Sequence, residues 1–302
     1  MVCVHMAPSS PNPSPPRFDP DAICRHLGAA AQGWQLELLP ECDSTNTRLM
    51  ARPLPADPRP ECLLAERQTA GRGRRGRAWV APAGGSLAFS VRWRLPAGRS
   101  PLGLSLAVGV ALARALHGLD VGGLQLKWPN DLLVAGRKLG GILIELASGR
   151  EGTAAVIGVG INLSLPPDLR IEGAVPPADL ASALAAPLDG NAVFAACLAA
   201  LGPALESFGR HGFAAFRAEW NLCNAHAGQA VTLHADAAAP LAGICRGVDE
   251  DGALLLETPA GVQRVLAGDV SLRVPPGSGS PQAGPREGQA HPGRPGASVS
   301  TP

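Results

Sequence analysis

Basic residues and glycines are concentrated in one short stretch, ERQTAGRGRRGRAW, which runs from Glu66 to Trp79. Four arginines and three glycines occupy the seven positions from Gly71 to Arg77, although the net charge of the whole 302-residue chain is only +1. Guanidinium groups form paired hydrogen bonds with phosphate and carboxylate groups, and glycines let the main chain approach a ligand closely. The stretch therefore predicts a local anion-binding loop.

Three other interpretations of this stretch are open. The first is a solvated basic loop. The second is an RNA-binding patch, although single-strand binders stack bases on aromatic rings and this chain has no tyrosine and only 4% aromatic residues. The third is a dinucleotide-binding turn, because the letters GRGRRG fit its fingerprint, but no helical pattern follows them. An anion site fits the composition and the local pattern best.

A second group of polar residues lies in LKWPNDLLVAGRKLGGILIE, from Leu126 to Glu145. Its proline, Asn130 and Asp131 predict a turn between apolar strands, and Lys127 and Lys138 lie on either side of that turn. Each lysine alone could be an exposed turn residue, and Asn130 and Asp131 could serve only the turn. Their concentration around one hairpin favours a common site.

A third stretch, GVGINL at Gly158–Leu163, ends a predicted strand. Its Asn162 either faces a ligand or caps the strand, and the sequence leaves both interpretations open. Without the other two stretches, this one is weak evidence for a functional site.

Hydrophobic periodicity around these stretches predicts a mixture of helices and strands, which is typical of α+β or α/β proteins. The predicted helices are Asp19–Leu27, Ser44–Arg52, Pro101–Leu119 (with Pro101 as an N1 residue) and Asn191–His211. The predicted strands are Trp34–Leu39, Cys62–Gln68, Ser86–Leu95, Leu124–Trp128, Gly141–Leu146 and Ala154–Asn162.

The pattern changes beyond about Ala225, where four short apolar runs are separated by Gly, Asp and Pro turns. About fifty residues of this kind predict a small β-barrel. Residues 1–16 and 275–302 are rich in Pro, Gly and Ser and are predicted to be disordered. The folded part is therefore expected to run from about residue 17 to residue 274.

Composition limits the possible classes of function. Lys and Arg (26) nearly balance Asp and Glu (25), so a general attraction to nucleic acid or to an anionic membrane is not expected. The seven cysteines are scattered and form no C-x-x-C pair, which fits a reducing, cytoplasmic location. No signal peptide and no run of 18 apolar residues occur, so no membrane segment is expected.

Taken together and in this order, five motifs resemble those of the biotin protein ligases. They are STN at Ser44–Asn46, RQTAGRGRRGRAW at Arg67–Trp79, KWPNDLL at Lys127–Leu133, RKLGGILIE at Arg137–Glu145 and GVGINL. The ending Gly247–Arg273 is similar to the small C-terminal SH3-like domain of that family. The resemblance covers about Cys42 to Arg273. It implies an α+β fold, with a mixed-sheet catalytic domain at residues 17–225 and an SH3-like β-barrel at residues 226–274.

The resemblance also implies a two-step activity with ATP and Mg²⁺. Biotin and MgATP give biotinyl-5′-AMP and pyrophosphate, and the ε-amine of one carrier lysine then attacks the mixed anhydride and releases AMP. The implied partner is the biotin carboxyl carrier domain of acetyl-CoA carboxylase or of another biotin-dependent carboxylase. The basic loop would be a lid, disordered when empty, that closes over biotin and the adenylate phosphate.

The resemblance assigns roles to individual residues. Lys138 and Arg72 would be catalytic, and Asp131 would bind Mg²⁺. Trp79 could instead be a hydrophobic strand residue. The implied biotin-binding residues are Ser44, Thr45, Asn46, Gln68, Arg72, Gly73, Arg74 and Lys138. The implied nucleotide-binding residues are Arg77, Trp79, Lys127, Asn130, Asp131 and Asn162.

Some family members carry a DNA-binding domain before the ligase domain. Only about forty residues precede Ser44, and part of them is Pro-rich, so we expect a monofunctional ligase that does not bind DNA. Both a monomer and a homodimer are compatible with the sequence. A lipoyl or octanoyl ligase is the nearest alternative, although the Arg/Gly loop and KWPND favour biotin. A non-catalytic RNA-binding module is a second alternative, but it leaves Lys138 and KWPND unexplained.

Overall fold

The computed structural model describes most of the predicted folded part. The described residues are 5–6, 18–54, 57–79, 82, 84–149, 152–166, 177–235, 240–266 and 270–273. Most of the two predicted disordered ends, residues 1–16 and 275–302, lies outside this set. The exception is His5–Met6, which the structure places in a short strand and not in a disordered segment.

Eight strands form one mixed sheet among the described residues, in the order β1-β2-β3-β4-β8-β7-β6-β5. The first three strands are parallel neighbours, and the remaining pairs are antiparallel. This arrangement confirms the predicted α+β class. The strands are β1 (His5–Met6), β2 (Gln35–Cys42), β3 (Glu61–Gln68), β4 (Ser86–Arg94), β5 (Leu124–Lys127), β6 (Asp131–Val134), β7 (Arg137–Gly149) and β8 (Gly152–Asn162).

Six α-helices accompany the two sheets in the described part of the chain. They are α1 (Pro20–Leu27), α2 (Thr45–Met50), α3 (Leu104–His117), α4 (Leu180–Ala183), α5 (Gly190–His211) and α6 (Arg217–Cys223). Short 3₁₀ turns occur at Gly28–Gly33, Arg74–Gly76 and Phe213–Ala215. All four predicted helices are confirmed. The third one, however, begins at Leu104 behind Gly103, so Pro101 is not its N1 residue.

The two faces of the large sheet are covered differently. On one face, α3 and α5 pack over the main core, where the rings of Phe89 and Phe194 meet edge to face with centroids 5.2 Å apart. On the other face, Leu49 of α2 packs with Leu63 and Val156 in a smaller apolar cluster. Because side chains alternate along a strand, β4 and β8 supply apolar residues to the main core and, apart from Val156, small or polar residues to the α2 face.

The helix α5 is long and apolar enough to cross a membrane, at 22 residues and a mean hydropathy of 1.5 over an 18-residue window. The sequence predicts no membrane segment. Nine of its side chains, among them Phe194, Leu198 and Phe208, are buried in the core of this fold. These nine side chains all belong to the main hydrophobic core.

A second sheet of five antiparallel strands follows, as the sequence predicts for the SH3-like part. Its order is β12-β11-β10-β9-β13. The strands are β9 (Ala230–Ala235), β10 (Leu241–Val248), β11 (Leu254–Thr258), β12 (Gly261–Val265) and β13 (Val270–Arg273). The turn between β10 and β11 contacts the first domain directly, since the indole N–H of Trp128 donates to the carbonyl of Gly252 at 3.1 Å.

Candidate active site

A cavity of about 250 Å³ opens on the sheet face that carries α2. All the residues that the sequence predicts for a site line this one cavity, although they come from α2, β3, the Arg/Gly loop and the strands β5 to β8. They are Ser44, Thr45, Asn46, Gln68, Arg72, Gly73, Arg74, Arg77, Trp79, Lys127, Asn130, Asp131, Lys138 and Asn162. The structure thus brings the predicted residues together, while their individual roles stay predictions.

The start of α2 supplies a buried polar corner of the cavity. Ser44 caps the helix by accepting a hydrogen bond from the Thr47 N–H at 3.4 Å. The Thr45 N–H and hydroxyl both point to Gln68 Oε1, at 2.7 and 3.1 Å. Since Ser44 and Thr45 are only 2% and 3% exposed, these bonds fix their orientation and that of Gln68.

Asn46 is held from both ends of its amide. Its Oδ1 lies 2.5 Å from the Ser90 hydroxyl, and its Nδ2 donates to Glu145 Oε2 at 2.8 Å. A Cβ atom at Gly158 would lie 2.4 Å from Asn46 Oδ1, so a glycine is required beneath this side chain. Sequence reasoning assigned no role to Ser90, Glu145 or Gly158. Ser90 could have been found as a polar residue in the middle of the alternating strand Ser86–Arg94.

The Arg/Gly loop forms a tight hairpin at the cavity. The Gly73 N–H donates to the Arg77 carbonyl at 2.7 Å, and the Trp79 N–H donates to the Gly71 carbonyl at 2.9 Å. Arg75 at its tip has a φ of +58°, in the left-handed region. Backbone groups of the loop thus pair with each other, and all four arginine side chains of the loop belong to residues that line the cavity. The predicted disorder of an empty loop stays a prediction.

Two arginines of the loop bind the strands across the cavity. Arg72 Nη2 donates to both carboxylate oxygens of Glu145, at 2.9 and 2.6 Å. Arg74 Nη1 donates to Asn130 Oδ1 at 3.2 Å. The loop is therefore tied at two points to the β6–β7 side of the site.

Trp79 lies flat against β8 at the end of the loop. A Cβ atom at Gly160 would be 2.6 Å from two atoms of the indole ring, so the ring packs on bare backbone. The alternative interpretation of Trp79 as a hydrophobic strand residue is wrong, because the residue belongs to no strand and its ring lines the cavity. Gly160 is a second functional glycine that sequence reasoning missed.

The KWPND turn places its charged and amide groups on the opposite wall. Asn130 Nδ2 donates to the Ile142 carbonyl at 2.8 Å, which locks the turn against β7. Lys138 Nζ lies 2.7 Å from Asp131 Oδ1, and their side chains are 30% and 15% exposed. The ammonium group of Lys138 thus lies at the cavity wall, where it can bind both the Asp131 carboxylate and an incoming anion.

Asn162 ties the end of β8 to its neighbours. Its Nδ2 donates to the Ala178 carbonyl at 2.9 Å and to the Lys138 carbonyl at 3.3 Å. The strand-end interpretation of Asn162 is therefore confirmed, and its contact with a nucleotide stays a prediction.

The residues present offer one carboxylate to a Mg²⁺ ion. No group of three or more His, Cys, Asp and Glu side chains with metal-binding geometry occurs in the described residues. Asp131, with Asn130 beside it, fits the kind of Mg²⁺ site in which one or two carboxylates act together with substrate phosphates. Such a site would be completed only with the nucleotide.

A buried histidine lies behind Lys127. The imidazole of His226 is 9% exposed, and its Nδ1 has no hydrogen-bond partner among the described residues. Burial, with a smaller effect of the Lys127 charge, lowers the pKa of His226 to about 4. The residue is therefore neutral around pH 7, and the positive charge on this wall comes from the lysine.

Comparisons with known proteins agree with this geometry. Residues 38–162 match the biotin/lipoate A/B protein ligase family, and residues 226–273 match the biotin protein ligase C-terminal domain. The chain is 39% identical over 246 residues to the bifunctional ligase/repressor BirA of Escherichia coli, which covers 80% of this chain and 75% of that protein. It is 35% identical over 239 residues to the biotin–[acetyl-CoA-carboxylase] ligase of Paracoccus denitrificans, covering 77% of this chain and 98% of that enzyme.

A solved structure shows the same similarity. The biotin protein ligase of Aquifex aeolicus in complex with biotin and ATP superimposes with a TM-score of 0.68 at 28% identity. The match covers 79% of this chain and 98% of the Aquifex chain.

Proposed function

The chain belongs to the biotin protein ligases of the biotin/lipoate A/B protein ligase family, and from this membership we propose how its cavity carries out the reaction. Its activity is the attachment of biotin to carrier proteins of carboxylases. The observation that carries the proposal is the convergence of four loop arginines and the Lys138–Asp131 pair on a single cavity.

In the first step the biotin carboxylate attacks the α-phosphorus of ATP, and pyrophosphate leaves with the electrons of the broken P–O bond. Two anions must approach each other, so cationic groups on both sides of the cavity lower the repulsion. We assign Lys138 and Arg72 to this task. Lys138 would donate to the biotin carboxyl and the α-phosphate as charge shifts between them.

Biotin and nucleotide would occupy different parts of the cavity. The polar corner at α2 with the first half of the loop suits biotin, through Ser44, Thr45, Asn46, Gln68, Arg72, Gly73, Arg74 and Lys138. The nucleotide would contact Arg77, Trp79, Lys127, Asn130, Asp131 and Asn162. Mg²⁺, held by Asp131 with Asn130, would offset phosphate charge when bound.

In the second step the ε-amine of a carrier lysine attacks the carbonyl carbon of biotinyl-5′-AMP. The C–N bond forms, AMP leaves with the mixed-anhydride oxygen, and the amine loses a proton. Until then the anhydride must be shielded from water, and the Arg/Gly loop would provide that shield. The carrier we propose is the biotin carboxyl carrier domain of acetyl-CoA carboxylase.

We also propose that the protein works in the cytoplasm. The six cysteines that the structure describes are free thiols, which fits a reducing compartment.

The test is direct transfer to an apo carrier domain. Purified protein, biotin, MgATP and the carrier are mixed, and intact mass reports biotin on the carrier. We expect a mass gain that requires ATP. Lipoate replaces biotin in a parallel reaction, and a gain with lipoate but none with biotin would make the protein a lipoyl ligase and refute the proposal.

A further inference from the structure

Glu145 lies just outside the cavity and joins three segments that form it. The residue lies on β7, two positions after Leu143, so both side chains share the sheet face that bears the cavity. Leu143 lines the cavity, whereas Glu145 is not among the described residues that do. Its carboxylate is 25% exposed and accepts hydrogen bonds from Asn46 and from Arg72.

The carboxylate of Glu145 binds Arg72 through only one of its three guanidinium nitrogens. Both bonds from Arg72 come from Nη2, at 2.9 and 2.6 Å. Its Nη1 and Nε atoms have no hydrogen-bond partner among the described residues, and the side chain lines the cavity. The guanidinium is therefore held in one place with donors still available to an anion.

The same carboxylate fixes Asn46 on the biotin side. Glu145 Oε2 accepts from Asn46 Nδ2 at 2.8 Å, while Ser90 occupies the other end of the amide. One side chain thus connects α2, β7 and the Arg/Gly loop. Groups that are already ordered lose less conformational freedom when a ligand binds.

We propose that Glu145 is a positioning residue that holds the Arg/Gly loop over the cavity through Arg72 and orients Asn46 for biotin. This inference rests on the proposed function for its substrate, but the loop contact is a property of the protein alone. Glu145 touches neither substrate in this scheme. Its effect is on how firmly the loop closes and on how tightly biotin and biotinyl-5′-AMP are retained.

The variant that tests the proposal is Glu145→Gln, which keeps an oxygen for Asn46 but removes the charge that binds Arg72. We expect trypsin cleavage within the loop to speed up about fivefold in the native protein, because the closed loop is populated less. The KM for biotin should rise about fivefold, while the kcat of adenylation at saturating substrates changes less than about twofold.

The matched control is Glu41→Gln. Glu41 forms the same kind of pair with Arg67, at 2.7 Å between neighbouring strands, but away from the cavity. This variant should leave loop cleavage and biotin KM unchanged, and thermal unfolding of both variants verifies that they fold. In addition, Arg72→Gln with Glu145→Gln should be no worse than Arg72→Gln alone, because the two residues act through one contact.

Two results would overturn the inference. One is loop cleavage and biotin KM in Glu145→Gln equal to those of the unmodified protein. The other is a lower biotin KM, which would mean that Glu145 competes with the ligand for Arg72. If the unmodified protein failed to biotinylate any carrier, the proposed function would fall, whereas the cleavage assay would still decide the role of Glu145.

Discussion

Lys138 occupies the point where charge is redistributed during adenylation. Its ammonium lies 2.7 Å from Asp131 and at the wall of the cavity. We predict that Lys138→Ala folds normally but slows adenylate formation about 100-fold or more, the usual cost of removing a group that stabilises developing charge. The measurement is pyrophosphate release at saturating biotin and ATP.

Arg137→Ala is the control for Lys138→Ala, because it removes a neighbouring positive charge whose side chain is exposed. It should retain nearly full activity. Pyrophosphate release by Lys138→Ala at the rate of the unmodified protein would show that the lysine has no catalytic role.

His226 makes stability depend on pH. Its pKa in the folded protein is lowered to about 4, below the ordinary value of 6.5, so the unfolded chain takes up the proton first. The free energy of unfolding should therefore be unaffected by this group above about pH 6.5 and fall as the pH drops towards 4. The loss is at most about 3 kcal/mol.

Denaturant titrations between pH 4 and pH 7.5 measure this effect. Within each protein the change with pH is compared, so that any packing cost of the substitution cancels. His226→Phe should lose less stability on acidification than the unmodified protein, whereas His117→Phe, at an exposed position, should behave like the unmodified protein. Parallel curves for all three would contradict the assignment.

Individual site residues differ in how far sequence could predict them. Lys138 and the loop arginines could be predicted as site residues from the sequence. They are charged groups concentrated next to apolar strands, which is an unusual setting. Ser90 and Glu145 act through contacts with residues 44 and 73 positions away, respectively. Such pairings depend on the strand order of the sheet, which local patterns do not contain.

The Arg/Gly loop acts as an element through its hold on the intermediate. We predict that Arg72→Gly forms biotinyl-5′-AMP but releases it early, because the loop loses its contact with Glu145 and a cation that faces the cavity. Filter retention of radiolabelled adenylate by the enzyme, followed over time, measures the release. Retention as long as in the unmodified protein would count against a closing loop.

The strand β8 has a glycine, Gly160, at the position where the Trp79 ring packs against it. A Cβ at Gly160 would lie 2.6 Å from the indole of Trp79, so Gly160→Ala should displace this ring from the cavity wall. We predict a rise of about tenfold in the KM for ATP, measured by initial rates. Gly149→Ala on β7 is the matched control, because nothing lies within 4 Å of its Cβ position and its activity should be unchanged. Equal ATP KM values for both variants would refute the contact.

Most of the elements followed from periodicity, but their limits and some short pieces did not. The strand β6 is not among the predicted strands, because four residues are too few to show alternation. The helix α6 is also short, with seven residues, and has one fully buried anchor, Trp220. Both are stabilised by their place between larger elements, which tertiary packing decides.

At the scale of the whole molecule, the KWPND turn is held from two sides, by the end of the catalytic domain and by the second domain. The Ala225 N–H donates to the Leu126 carbonyl at 2.9 Å, just before the motif. The Gly252 carbonyl accepts from the indole of Trp128, inside the motif. The C-terminal sheet could be predicted as a unit. The contact between Trp128 and Gly252 joins residues 124 positions apart, so local sequence patterns could not predict it.

Gly252 is the point where this support can be tested. Its φ of +81° is left-handed, and a Cβ there would lie 2.9 Å from Gly103 Cα and 2.9 Å from Leu106 Cδ1. Gly252→Ala must therefore shift the turn that holds Trp128. We predict a loss of about 2–4 kcal/mol in the free energy of unfolding, from backbone strain and overpacking together. Trp128 belongs to the KWPND turn, which also carries Asn130 and Asp131. Displacement of this turn should therefore also slow adenylation about tenfold.

Gly228→Ala separates strain from contact in this prediction. Gly228 has a similar φ of +71°, but nothing lies within 4 Å of its Cβ position. It should lose only the backbone component, about 1–2 kcal/mol, and keep its adenylation rate. Chemical denaturation and pyrophosphate release are measured on both variants. If Gly252→Ala lost stability but catalysed adenylation as fast as Gly228→Ala, displacing the KWPND turn would have no effect on catalysis. The second domain would then stabilise the fold without positioning the site.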